Sequence, residues 1–173
     1  MTTPRILIAC IGNIFLGDDG FGTEVARRLA GRRLAPGVVL KDFGIRSLDL
    51  TYALLDPHDL VILVDACPRG GEPGTVYLVE PDPGEWNGPD GAHLEAHALN
   101  PMSVLRTVKS MGGAPGRILI VGCEPAEIAF DEEGKLGLSD PVAAAVDEAI
   151  AMIETLVSKT LTADVGRVGS LQN

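Results

Sequence analysis

Two short apolar runs, residues 6–11 and 60–64, carry no charged side chain, and each breaks off into a carboxylate-bearing stretch. A strand that is apolar on both faces needs cover on both, the condition of a parallel strand roofed by helices on either side. The first run leads into Gly12-Asn13-Ile14-Phe15-Leu16-Gly17-Asp18-Asp19-Gly20-Phe21-Gly22, and the second ends on Asp65. Ligands of open α/β sheets bind beyond the carboxyl ends of the strands. The two runs therefore imply both a fold class and a place for its chemistry.

The remaining chain alternates in kind. Phe21, Val25 and Leu29 recur four apart within residues 20–33, a helical stripe set opposite basic residues. Residues 38–43 read as a second strand stopped by Gly44, and Ser47 is placed to cap a helix that the Asp56-Pro57 pair ends after Leu55. Strand-like segments return at 74–80 and 117–123, with a helix from Pro101 to Met111 between them. The stretch 81–97 is the least regular, with three prolines, Trp86 and two histidines. Ser139 or Asp140 caps a last helix, in which Val142, Val146, Ala149, Ile150, Ile153 and Val157 form one apolar stripe behind Pro141. Residues 160–173 carry no pattern and are expected to be a disordered tail on a single domain spanning 1–159. Such alternation implies an α/β, three-layer sandwich around a mostly parallel, twisted sheet.

Composition narrows the function. Hydrophobic residues make up 46% of the chain but aromatics only 4%, so aliphatic side chains must fill the core. A formal charge of −10 argues against a nucleic-acid partner. No run approaches the ~18 apolar residues of a membrane span. Cys10, Cys67 and Cys123 are odd in number and include no CxxC pair, which supports neither a disulfide framework nor a zinc ribbon. A reduced, cytoplasmic setting is expected, with the cysteines as small buried hydrophobes and Cys67 nearest the Asp65 end of its strand. Neither a phosphate loop, a GxGxxG fingerprint nor a GxSxG elbow is present.

The chemistry-bearing candidates are acidic. Asp18 and Asp19 can cap the helix that follows or hold a cation, and a pair exceeds what one cap needs. Asp65, directly after five aliphatic residues, lies at the carboxyl end of a strand expected to neighbour the first. Asp19 with Asp65 then forms a two-carboxylate cleft, which shares a proton or holds a cation. His97 adds a nitrogen donor suited to a divalent transition metal. His93 competes for that role: His93, Glu95 and His97 together could instead hold a zinc of their own. His58 reads as a surface turn residue.

Three stretches resemble the endopeptidases that mature the large subunit of nickel–iron hydrogenases. They are residues 6–22, which follow that family's GN-x-L-x-x-D-[DE]-G-x-G pattern with Phe15 at its Leu position, residues 61–66 (Val-Ile-Leu-Val-Asp-Ala), and residues 97–105 (His-Ala-Leu-Asn-Pro-Met-Ser-Val-Leu). Element order agrees across residues 4–158. The resemblance implies a phosphorylase/hydrolase-like sandwich with Asp19, Asp65 and His97 as both metal-contacting and catalytic residues. Its Asp-x-Gly turn falls on Asp42 and Gly44, and Asp18 and Asp42 become supporting or base groups.

By the same resemblance, the substrate is a nickel–iron hydrogenase large-subunit precursor whose C-terminal extension is removed once nickel is seated. The nickel is carried by that substrate, although another divalent metal could enter the cleft in vitro. Two oxygens and a nitrogen suit a metal that belongs to a partner, because they lack the thiolates that would keep it. The alternative is a nickel-checking chaperone that docks on the precursor without cutting it. A monomer that docks transiently, away from nucleic acid and membrane, is the expected working form.

Overall fold

The computed structural model of the chain describes residues 3–84, 100–128 and 133–169. In order these form β1 (Ile6–Ile11), a single 3-10 turn (Asp18–Gly20), α1 (Phe21–Leu29), β2 (Val38–Gly44), α2 (Ser47–Leu55), β3 (Leu60–Ala66), β4 (Val76–Val79), α3 (Pro101–Ser110), β5 (Arg117–Cys123) and α4 (Asp140–Gly169). The strands make one sheet in the order β2-β1-β3-β5-β4. Pairings β1–β2, β1–β3 and β3–β5 are parallel, and only β4 runs antiparallel, against β5. The expected α/β sandwich with its mostly parallel sheet is what the chain forms.

Alternation along the strands explains the layering. Ile6, Ile8 and Cys10 of β1, with Leu60, Ile62 and Val64 of β3, face a core built with Phe21, Val25 and Leu29 of α1 and the apolar stripe of α4. Leu7, Ala9 and Ile11, with Val61 and Leu63, face a second core built with Leu50 and Leu54 of α2 and Val104, Leu105 and Val108 of α3. Successive side chains of a strand point to opposite faces, so an all-apolar strand supplies both cores at once. Each fully buried Leu, Ile or Val contributes roughly 1.5–3 kcal/mol relative to exposure, which makes β1 and β3 the energetic centre of the molecule.

Differences from the sequence reading lie at element ends. Ser47 does not cap α2: Arg46 occupies the cap position and no side chain accepts a bond there. Ser139 places its backbone carbonyl under Ala143 N–H, as a capping residue does, but its hydroxyl donates to Asp18 at 2.9 Å instead. Helix α4 does not stop at Lys159; it continues to Gly169, and Leu161 still packs against the core. Helix propagation is cheap once tertiary contacts anchor the preceding turns, so the end of an apolar stripe need not end the helix. His58 is half-buried beside the first residue of β3, at the amino edge of the sheet.

Candidate functional site

Strand order reverses direction between β1 and β3, because the chain leaves β1 for β2 on one side and returns to β3 on the other. A crevice opens beyond the carboxyl ends of two strands at such a switch point. Asp19 follows β1 and Asp65 lies near the end of β3, one on each side of it.

Two glycines let the chain turn tightly enough to reach it. A Cβ on Gly22 would lie 2.1 Å from the Ile11 carbonyl oxygen and 2.4 Å from that of Val64, so α1 starts jammed against the ends of β1 and β3. Gly12, at φ +154°, passes so close to the Asp19 carbonyl oxygen that an added Cβ would lie 2.2 Å from it.

The adjacent acids of the 3-10 turn diverge. Asp18, 1% exposed, accepts four hydrogen bonds: Ala126 N–H at 2.8 Å, Glu127 N–H at 2.9 Å, Ser139 N–H at 2.7 Å and the Ser139 hydroxyl at 2.9 Å. Burial works to raise its pKa, but these donors outweigh burial and hold it below the ordinary carboxylate value. Asp19 instead accepts the Asn13 N–H at 3.0 Å, and burial leaves its pKa raised despite that bond. Neither acid makes a side-chain cap to α1.

Asp65, 8% exposed, has its pKa raised well above normal by burial first and by the Asp19 charge second, with the Ala66 N–H opposing. Two buried carboxyls that repel each other's ionisation share a proton or await a cation. Oxygen donors of this kind fit a divalent ion, which would draw both groups into their charged form. Among the described residues no group of three His, Cys, Asp or Glu side chains gathers round a common point. His97, and with it the alternative set His93 and Glu95, lies outside the described residues. The chain resumes at Asn100, whose side chain caps α3 by accepting the Met102 N–H at 2.9 Å.

The other sequence candidates take lesser positions. Asp42 is exposed and accepts the Gly44 N–H at 2.9 Å and the Thr23 hydroxyl at 3.3 Å, fastening the turn after β2 to the start of α1. A bulge there skips Phe43, so that Cys10 pairs with Asp42 and Ile11 with Gly44. Cys67 lies close enough to Asp65 to feel its charge, but burial chiefly raises its thiol pKa, against the pull of Arg69, so it remains a thiol. Cys10 and Cys123 are buried, and burial pushes the Cys123 thiol up to about 12.

Sequence reasoning passed over Glu124. This buried carboxylate follows β5 as Asp65 follows the aliphatic run of β3, and it accepts Arg69 N–H at 2.8 Å, Gly70 N–H at 3.2 Å and the Tyr77 hydroxyl at 2.9 Å. It anchors the loop that leaves the Asp65 strand. The same strand-end position that drew attention to Asp65 could have found it.

Solved peptidases share this fold. The hydrogenase maturating endopeptidase HybD from E. coli superposes with a TM-score of 0.72 at 22% identity, covering 90% of this chain and 93% of its own. The hydrogenase 2 maturation peptidase from Thaumarchaeota archaeon SCGC_AB-539-E09 gives 0.66 at 29% identity, over 89% and 98% of the two chains. A family model described as hydrogenase maturation protease (HycI) matches residues 23–156. HupD, a hydrogenase expression/formation protein of Rhizobium leguminosarum bv. viciae, is 34% identical over 85% of this chain and 71% of its own. A putative hydrogenase maturation protease of Methanocaldococcus jannaschii is 33% identical over 88% of this chain and 96% of its own. The chain belongs to the hydrogenase maturation protease family, whose members process hydrogenase precursors.

Proposed function

We propose that this protease removes the C-terminal extension of a nickel–iron hydrogenase large-subunit precursor after nickel insertion, reading the substrate's nickel through Asp19, Asp65 and His97. The observation that carries the reading is the pair of buried carboxyls, Asp19 and Asp65, whose pKa values are both raised at the switch point. Burial opposes ionisation of both, and a substrate-borne divalent ion would draw both into the charged form. A precursor without the ion offers no such compensation, so the pair discriminates loaded from unloaded substrate.

Nickel in the cleft polarises the scissile carbonyl or lowers the pKa of an attacking water. The protein's own part is to orient. Asp18 is a poor base, since four donors already occupy its oxygens. Asp42 is exposed and both of its bonds fall on one oxygen, Oδ1, so it and the cleft carboxyls are the candidates to take the proton that the nucleophile loses. The protein acts as a monomer that docks on the precursor transiently.

The test is an intact-mass assay of the cognate precursor mixed with this protein, with and without nickel. Loss of a C-terminal peptide only from the nickel-loaded sample is expected, and Asp19→Asn and His97→Gln are expected to abolish it. Cleavage regardless of nickel removes the gate. Binding without cleavage replaces the protease by a checking chaperone.

A further inference from the structure

Resting on the reading of Asp19 as a cleft residue, the geometry points to Asp18 as the positioning residue that sets Asp19 in place, by clasping the 3-10 turn to residues 126–128 and 135–139. The clasp works in both directions. Asp18 accepts from Ala126, Glu127 and Ser139, while the turn's own backbone donates outward: Gly17 N–H to the Lys135 carbonyl at 2.7 Å and Asp18 N–H to the Glu127 carbonyl at 3.0 Å. Lys135 N–H returns a bond to the Phe15 carbonyl at 2.8 Å. Isolated bridges Leu16 to Lys135 and Gly17 to Ile128 complete the seam.

Nothing in the turn itself could do this job. Gly17 at φ +66° and Gly20 flank the two acids, and although the Asp18 carbonyl accepts the Phe21 N–H, neither acid's side chain caps the helix start. A glycine-bounded turn is conformationally loose unless something outside it fixes it. Asp18 supplies that fixation at the root of α4, where Ser139 lends both its N–H and its hydroxyl. At 1% exposure Asp18 cannot touch a substrate, so whatever it contributes passes through its neighbour. The placement of Asp19 has a reporter: its carboxylate accepts the Asn13 N–H, and that bond forms only while the turn holds its position.

Amide hydrogen exchange by NMR tests this without any substrate. Asp18→Asn keeps the shape but puts an amide NH2 against backbone donors. It is expected to lower protection of the Asn13 amide about tenfold while the amides of Val61 to Val64 keep theirs. Ser139→Ala, which removes one of the four donors, should give a smaller loss at Asn13, and Ser139→Thr, which keeps the hydroxyl, should restore it. In precursor processing the Asp18→Asn protein is expected to lose kcat with KM unchanged. Wild-type protection at Asn13 in Asp18→Asn overturns the proposal, as does parallel loss throughout β3, which would make Asp18 a general stabiliser. If exchange behaves as expected but the wild-type protein processes no precursor, the clasp stands and the functional reading falls.

Discussion

Burial and the charge of Asp19 both oppose ionisation of Asp65, and this has a signed consequence for stability. A carboxyl whose folded pKa lies above its unfolded value binds more proton in the native state. Stability therefore falls as pH rises from the unfolded value, near 3.8, toward the raised folded one. Asp65→Asn removes that penalty. We expect the variant to melt higher than wild type at neutral pH, with the difference shrinking toward zero below about pH 4. Calorimetry at the two pH values measures it, and a wild type as stable as the variant at neutral pH contradicts an opposed pair. The same substitution should abolish processing, because active sites commonly sacrifice stability for function. Asp42→Ala is milder: it frees the Gly44 N–H at the surface and is expected to cost about 1 kcal/mol, seen as a small shift in urea midpoint. The sequence drew attention to Asp65 because it directly follows five aliphatic residues, and to Asp19 because it lies in the glycine-rich stretch after the first apolar run. The different duties of Asp18 and Asp19 were not legible there, since the groups that claim Asp18 lie 108 to 121 residues further on.

Secondary-structure elements were easier to read than their ends. Apolar runs and helical stripes located β1, α1, β3, β5 and α4, because one side-chain period reports one buried face, and Pro101 marked the start of α3. The ends failed where a distant partner decides them: the Ser139 hydroxyl is diverted to Asp18, and α4 runs on past Lys159 with Leu161 against the core. The tightest inter-element fit is the start of α1, where Gly22 meets two strand ends. Gly22→Ala pushes a methyl group into the Ile11 and Val64 carbonyls, and neither strand can retreat without unpacking both cores. About 3 kcal/mol or more of destabilisation is expected, with processing lost even where the protein still folds. Denaturant midpoints measure the first effect and the mass assay the second. A fold as stable as wild type would mean that α1 can lift away from the sheet.

At the scale of the whole molecule, the candidate cleft and the far end of α4 lie at opposite ends of the strands. Leu156, Lys159, Thr160 and Ala163 near the far end of α4 border a cavity shared with Pro4, Asp59 and Arg117, at the amino ends of the strands. Ending the chain at Lys159 removes Leu161 from the core, and about 1 kcal/mol of stability should go with it. Precursor processing at moderate temperature should be unaltered, since the cleft lies at the other end of the strands. A truncated protein that melts lower yet cuts at the normal rate is the expected result, and slowed cutting would tie the end of α4 to the site. Asp65 stands on β3 and Asp19 in the turn that follows β1, so the two meet only when β1 pairs with β3. Until then, holding one ion between them means closing the entire loop of chain that separates them, an entropic cost that the folded chain has already met. On the proposed reading, a polypeptide still leaving the ribosome, or one unfolded by heat, would hold a divalent ion less well than the folded protein. Whatever affinity for metal the pair has would arrive with the assembled sheet and depart with it.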